Sequence, residues 1–181
     1  MGGVGEVVIV TGPPGSGKST GARQLAGLLE PSALVVGDQF FGFIARGFVD
    51  PWKPEAHRQS TVVVAAAAAA AGRLATGGYQ VVYDGVIGPC CPRSTTPCCC
   101  RRREVCVERV RAPTGHGFTD LDATRHIWAE FARSSIDERH ILDGGAAPAA
   151  IAAAIAERMA DGSLRRARRG SPGTRATGFI Q

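Results

Sequence analysis

Read for hydrophobic period alone, the chain alternates short β-branched runs with longer stretches of helical spacing. Residues 6–11 form a compact apolar run of the length a buried strand takes. Ala22, Leu25, Ala26 and Leu29 then share one face of a predicted helix over 21–30, which Pro31-Ser32 breaks. A second strand is predicted over 33–37, followed by a helix over 39–46 and a loop holding Pro51 and Pro54. The next helix runs from 55 to 76 through an alanine block and stops at Gly77-Gly78. Residues 79–83 read as a third strand closing on Asp84-Gly85. Residues 104–111, with Val105, Val107 and Val110, fit strand or helix equally. A Pro/Gly loop over 112–118 leads to a helix over 122–134, capped by Thr119 or Asp120, with Ile127, Trp128 and Phe131 on one face. A short last strand (140–143) and a helix with Pro148 in its first turn complete the pattern. Strands alternating with helices predict an α/β fold with a parallel sheet.

The first strand-to-helix junction carries candidate chemistry. Gly12-Pro13-Pro14-Gly15-Ser16-Gly17-Lys18-Ser19-Thr20 fits G-x-x-x-x-G-K-[ST]. The glycines let successive backbone N–H groups turn toward one anion, and the helix start adds its own free N–H groups. Lys18 would place a point charge on the β- and γ-phosphates of a nucleoside triphosphate, and the Ser19 hydroxyl would be a ligand for Mg²⁺. Two further acids stand where strands end. Asp38 follows the second strand, placed to accept a proton from an attacking hydroxyl, and also suits the N-cap of the 39–46 helix. Asp84 ends the third strand as an acid able to hold Mg²⁺ directly or through water, or as a turn residue before Gly85. Phe40, Phe41, Phe43, Phe48 and Trp52 cluster after Asp38, as core or as an aromatic wall for a substrate. His57 and Arg58 open the alanine-rich helix, Arg58 either solvated or facing an anionic substrate.

Composition changes this picture in two places. The net charge of +5 is not spread over the fold: residues 163–181 hold Arg165, Arg166, Arg168, Arg169 and Arg175 and no acid. Outside them 16 basic residues balance all 16 acidic ones, so residues 1–162 read as a neutral domain with a basic, disordered tail at 163–181. Nucleic acid is then a partner only through that tail. No apolar run has the length and bulk of a membrane span, and the start lacks a basic, apolar signal segment, which predicts a cytoplasmic protein with no membrane partner.

Five of the six cysteines fall between Pro89 and Arg103, in a stretch without periodicity. Adjacent Cys90-Cys91 and Cys98-Cys99-Cys100 do not match the C-x₂₋₄-C spacing of structural zinc sites. Besides a metal site or a loop, a third reading is open. Shifted by one base, GC-rich codons for Cys-Cys-Pro-Arg and Cys-Cys-Cys-Arg-Arg-Arg would encode Leu-Leu-Pro-Pro and Leu-Leu-Leu-Pro-Pro-Pro, an apolar helical stretch.

The Gly12–Thr20 motif after a first strand, Val36-Gly37-Asp38 closing a second, Asp84-Gly85-Val86 closing a third, and an Arg…Thr-Gly-His-Gly-Phe segment around 111–118 resemble the small P-loop kinases. By pattern the chain is similar to chloramphenicol phosphotransferase-like proteins, gluconate kinase and shikimate kinase, many of whose relatives are described only as AAA-family ATPases. The resemblance covers roughly residues 4–160. It implies a three-layer α/β/α fold around a five-stranded parallel sheet, ATP with Mg²⁺ as phosphoryl donor, and a small hydroxylated acceptor. Carried over by position, Asp38 is the base, Lys18 the phosphate clamp, Ser19 the Mg²⁺ ligand, and Arg111 or Arg125 an arginine of a lid spanning about 111–134. Arg109 and Arg133 flank the same segment.

Where the family has a helix and a fourth strand beside the P-loop strand, this chain has the cysteine segment, and no fourth strand is read there. Each backbone group left unpaired in a buried strand costs on the order of 1–3 kcal/mol, against total stabilities of about 5–15 kcal/mol. The expectation is therefore an ATP-dependent small-molecule kinase. Its rivals are a P-loop ATPase or nucleotide switch without acceptor, a 5′-hydroxyl nucleic-acid kinase using the tail, a cysteine-built metal-binding module, and a degenerate copy.

Overall fold

The computed structural model describes residues 3–87, 98–100, 103–112, 119–134 and 136–165. Three parallel strands form the main sheet: β1 (Val7–Val10), β2 (Ser32–Val36) and β3 (Gln80–Asp84), in the order β1-β3-β2. The register pairs Val10 with Asp84 and Asp84 with Val36, so the carboxyl ends of all three strands lie in one row. Whatever follows β1 and β2 is thereby delivered to the same edge as Asp84 itself.

Side-chain alternation divides the sheet between two cores. On one face Val8, Val10 and Val82 meet Ala22 and Leu25 of α1 (Lys18–Ala26) and Ile151, Ala152 and Ile155 of α5 (Pro148–Ala160). On the other, Val35, Val81 and Tyr83 meet Ala67, Ala71 and Ala75 of α2 (His57–Thr76). These alanines recur every four residues, so α2 presents a smooth stripe and lies close to the sheet. The alanine block is thus a packing surface, as its helical spacing predicts.

Two segments depart from expectation. After β2 the chain forms a 3₁₀ helix, Gly37–Phe43, in place of an α-helix over 39–46. Its N-cap is Val36, without a side-chain cap bond, so Asp38 sits in the first turn and does not cap a helix. The cysteine run also yields a strand where none is read from sequence: β4 (Cys98–Cys100) pairs in parallel with β5 (Ile141–Asp143). Three residues are too few to display a period, and the ladder from β5 settles their conformation. Among the described residues this pair forms a separate sheet, and no ladder joins it to β1. Among the described residues, the five-stranded sheet implied by the family resemblance is divided into sheets of three and two strands. Cys90 and Cys91 lie outside the described residues.

The ambiguous stretch at 104–111 is helical (α3, Arg103–Arg111), and α4 (Leu121–Arg133) is capped by Asp120, which accepts from the N–H groups of Asp122 and Ala123 at 3.0 and 2.8 Å. The folded unit runs past residue 162. Leu164 is fully buried in the α1–α5 core, and Arg165 forms an ion pair with Glu6. Leu164 and Arg165, which the sequence reading assigns to the tail, therefore pack with the domain, and residues 166–181 lie outside the described set. No described helix is long and apolar enough to cross a membrane.

Ile155 joins α5 to the sheet and is completely buried. Ile155→Ala should lower the unfolding free energy by about 2–5 kcal/mol in urea titration, whereas Val62→Ala, on the exposed side of α2, should stay within about 0.5 kcal/mol. Equal effects at both positions would refute the packing of α5 described above.

Candidate active site

The loop between β1 and α1 is built by two glycines in the left-handed region, Gly15 at φ 76° and Gly17 at φ 91°. Gly17 is the N-cap of α1, and its carbonyl accepts the helical bond from the Gly21 N–H at 3.1 Å. An earlier turn is closed by the Ser16 N–H donating to the Pro13 carbonyl at 3.2 Å. Gly15 is needed for space as well as for φ, since a Cβ there would lie 2.5 Å from the carbonyl oxygen of Cys106. Helix α3 is therefore seated directly against the loop. Gly12, Pro13, Pro14, Ser16 and Lys18 are buried, Gly15, Gly17 and Ser19 half-buried, and Thr20 exposed.

Lys18 and Ser19 open α1 beneath Asp84. The Asp84 carboxyl is held above the ordinary aspartate range, chiefly by burial. The Lys18 charge and a hydrogen bond from the Ser19 hydroxyl oppose that rise, Asp38 adds to it, and Arg23 weakly opposes it. The Oδ1 atom of Asp84 is buried with no hydrogen-bond partner among the described residues. A desolvated carboxylate oxygen with an unused lone pair, next to a serine hydroxyl, is a hard-oxygen donor pair that fits Mg²⁺. These two residues could hold the ion.

Asp38 is exposed, and its charge reaches both Asp84 and Tyr83. Burial pushes the Tyr83 phenol up to about 12, with Asp38 and Asp84 adding to the effect. The aromatic residues after Asp38 divide between roles. Phe40 packs on the α2-side core and meets the edge of Phe43 at a ring separation of 5.5 Å. Phe43 is 79% exposed, Phe48 48% and Trp52 38%. Gln59 on α2 anchors this loop by donating to the Val49 carbonyl at 2.6 Å and accepting from the Val49 N–H at 2.9 Å. His57 and Arg58 are exposed in the first turn of α2.

The two arginines carried over by resemblance stand differently. Arg111 is exposed at the end of α3. Arg125 donates to Asp122 on its own helix at 2.7 Å, and both are exposed. Residues 113–118, the centre of the expected lid, lie outside the described set. An apolar cleft of about 220 Å³ separates Pro13 from Trp128, Phe131 and Ala132 of α4 and from Ile141.

Sequence reading misses two residues that the fold brings in. Arg23, one turn beyond Ser19, acts on Asp84. Tyr83 hides among apolar strand residues. Its signal was the pair of glycines, Gly37 and Gly85, each two positions beyond a place on the Tyr83 row.

The sign of the Asp84 effect is testable. The folded carboxyl binds its proton more tightly than the unfolded one, so its stability contribution is full below the reference value of 3.8 and is lost as pH rises through the higher folded value. Asp84→Asn should therefore raise the urea midpoint of the protein near neutral pH and flatten its pH dependence. A lowered midpoint in this variant would refute the burial cost.

The sequence matches no protein-family model and no curated protein. Solved structures do match the fold. The tunicamycin resistance protein of Deinococcus radiodurans aligns at a TM-score of 0.61 and 17% identity, over 86% of this chain and 95% of its own. A sugar kinase from Janibacter sp. HTCC2649 aligns at 0.58 and 17% identity, over the same shares of each chain. With its Gly12–Thr20 loop and parallel sheet, the chain has the P-loop kinase-like fold.

Proposed function

We propose that this protein is an ATP-dependent phosphotransferase acting on a hydroxyl group of a small molecule. The observation that carries the reading is the convergence of Lys18, Ser19, Asp84 and Asp38 at one sheet edge, with Asp84 electrostatically coupled to the other three. A nucleotide loop alone would need only the first two. An acid exposed at the mouth of the same edge adds a group free to reach an acceptor.

Mechanistically, the Gly12–Thr20 backbone and Lys18 hold the triphosphate and orient the γ-phosphoryl group. Ser19 and Asp84 would hold Mg²⁺, which would supply charge neutralisation on the phosphate oxygens. Asp38 accepts the proton of the acceptor hydroxyl as its oxygen forms the bond to the γ-phosphorus. The bond from that phosphorus to the β,γ-bridging oxygen breaks, and ADP leaves with the electron pair. The exposed Phe43, Phe48 and Trp52, which follow Asp38 in the chain, suit an acceptor with an apolar face as well as a hydroxyl. The sugar kinase among the structural neighbours supports a hydroxylated acceptor.

Two variants separate the roles. Lys18→Ala should weaken MgATP binding by roughly 10- to 100-fold in calorimetry, the worth of one charge-assisted contact. Asp38→Asn should bind MgATP as the wild type does, yet transfer phosphate about 10²–10⁴-fold more slowly to alcohols and sugars found by screening. A folded wild type that binds no MgATP would sink the proposal. Nucleotide turnover indifferent to every hydroxylated compound and to Asp38→Asn would leave an ATPase or switch instead.

A further inference from the structure

The geometry points to Tyr83 as a positioning residue, whose ring sets the spacing between Asp38 and Asp84. The inference rests on the kinase reading above. Tyr83 lies opposite Val35 in the β2–β3 ladder, and the next pair is Val36 with Asp84. Gly37 and Gly85 are each two residues beyond that Val35–Tyr83 pair, so they share its face of the sheet. Strand side chains lean along the strand, and the Tyr83 ring covers both glycines. A Cβ at Gly37 would fall 2.3 Å from the Tyr83 hydroxyl oxygen, 2.7 Å from Cζ and 3.0 Å from Cε1. A Cβ at Gly85 would fall 2.9 Å from Cε1. One buried ring thus rests on two bare backbone positions at two neighbouring strand ends.

Those positions adjoin the two acids. Asp38 follows Gly37, and Asp84 precedes Gly85. Asp84 is held by its ladder and by Ser19, whereas Asp38 sits beyond the end of β2 in a 3₁₀ turn without a cap bond. Beyond the last ladder pair the tyrosine ring lies against Gly37, and this contact is what sets how far Gly37, and with it Asp38, stands from the Asp84 row. A base displaced by about 1 Å can lose 10²-fold in rate, so such a gauge has catalytic consequences without touching substrate.

A merely structural tyrosine would alter stability and leave the catalytic step alone. The test is therefore a split between kcat and MgATP affinity in Tyr83→Phe, Gly37→Ala and the double variant Gly37→Ala/Tyr83→Leu. Turnover is followed with MgATP and a panel of small alcohols and sugars, folding by circular dichroism. Tyr83→Phe removes the oxygen that meets Gly37 and should lower kcat roughly tenfold with MgATP affinity unchanged. Gly37→Ala should lower kcat by about 10²-fold, and adding Tyr83→Leu should return part of that loss by giving the new methyl room. Wild-type kcat in Tyr83→Phe overturns the inference, even where Gly37→Ala does not fold. A wild-type protein that binds no MgATP, or transfers to no acceptor, overturns the kinase reading instead.

Discussion

Everything at the candidate site depends on one ladder register. Parallel pairing puts Val10, Asp84 and Val36 in a single row across the main sheet. Because the strands run the same way, their carboxyl ends open on the same edge, where ligands of open α/β sheets bind. A slip of one residue would turn Asp84 to the α2 face and Tyr83 toward the P-loop. The register is held from both sides, by Val8, Val10 and Val82 in one core and Val35, Val81 and Tyr83 in the other. Packing remote from the site thereby sets the positions of Asp84, the Gly12–Thr20 loop and Asp38.

The same row carries an electrostatic cost. Asp84 is buried, and its ionised form is disfavoured by desolvation and by Asp38. Lys18 and Ser19 offset part of that cost, and one carboxylate oxygen has no described partner. A core chosen for stability alone would place an apolar residue here. A buried acid raised above its ordinary range beside a lysine and a serine is the arrangement expected where a cation arrives with its ligand.

Among the described residues, backbone pairing between strands is interrupted at a definite place. Strand β4 forms and pairs with β5, yet no described ladder ties it to β1. The α1–α5 core spans that seam: Leu142 of β5 packs in the same cluster as Val8 and Val10 of β1, and Ile151, Ile155 and Leu164 complete it. Side-chain burial thus joins two sheets between which no ladder runs among the described residues.

Local chemistry made much of this legible. The glycine pattern and Lys18-Ser19 define the Gly12–Thr20 loop and the start of α1, because positive φ and free N–H groups depend only on adjacent residues. The alternation of apolar runs foretold all three strands of the main sheet, and the spacing of alanines foretold α2. Asp38 and Asp84 stood out because each acid follows a strand. Sequence could not show β4, whose three residues take their conformation from β5. Nor could it show that residues 37–43 tighten into a 3₁₀ turn, that Leu164 belongs to the core, or that Tyr83 rests on Gly37 and Gly85. Motifs and periods are properties of neighbours along the chain. Which acid is buried, which is exposed and how far apart they stand are properties of strand register and of packing between elements up to 159 residues apart, as Arg165 and Glu6 are, and only the tertiary structure decides them.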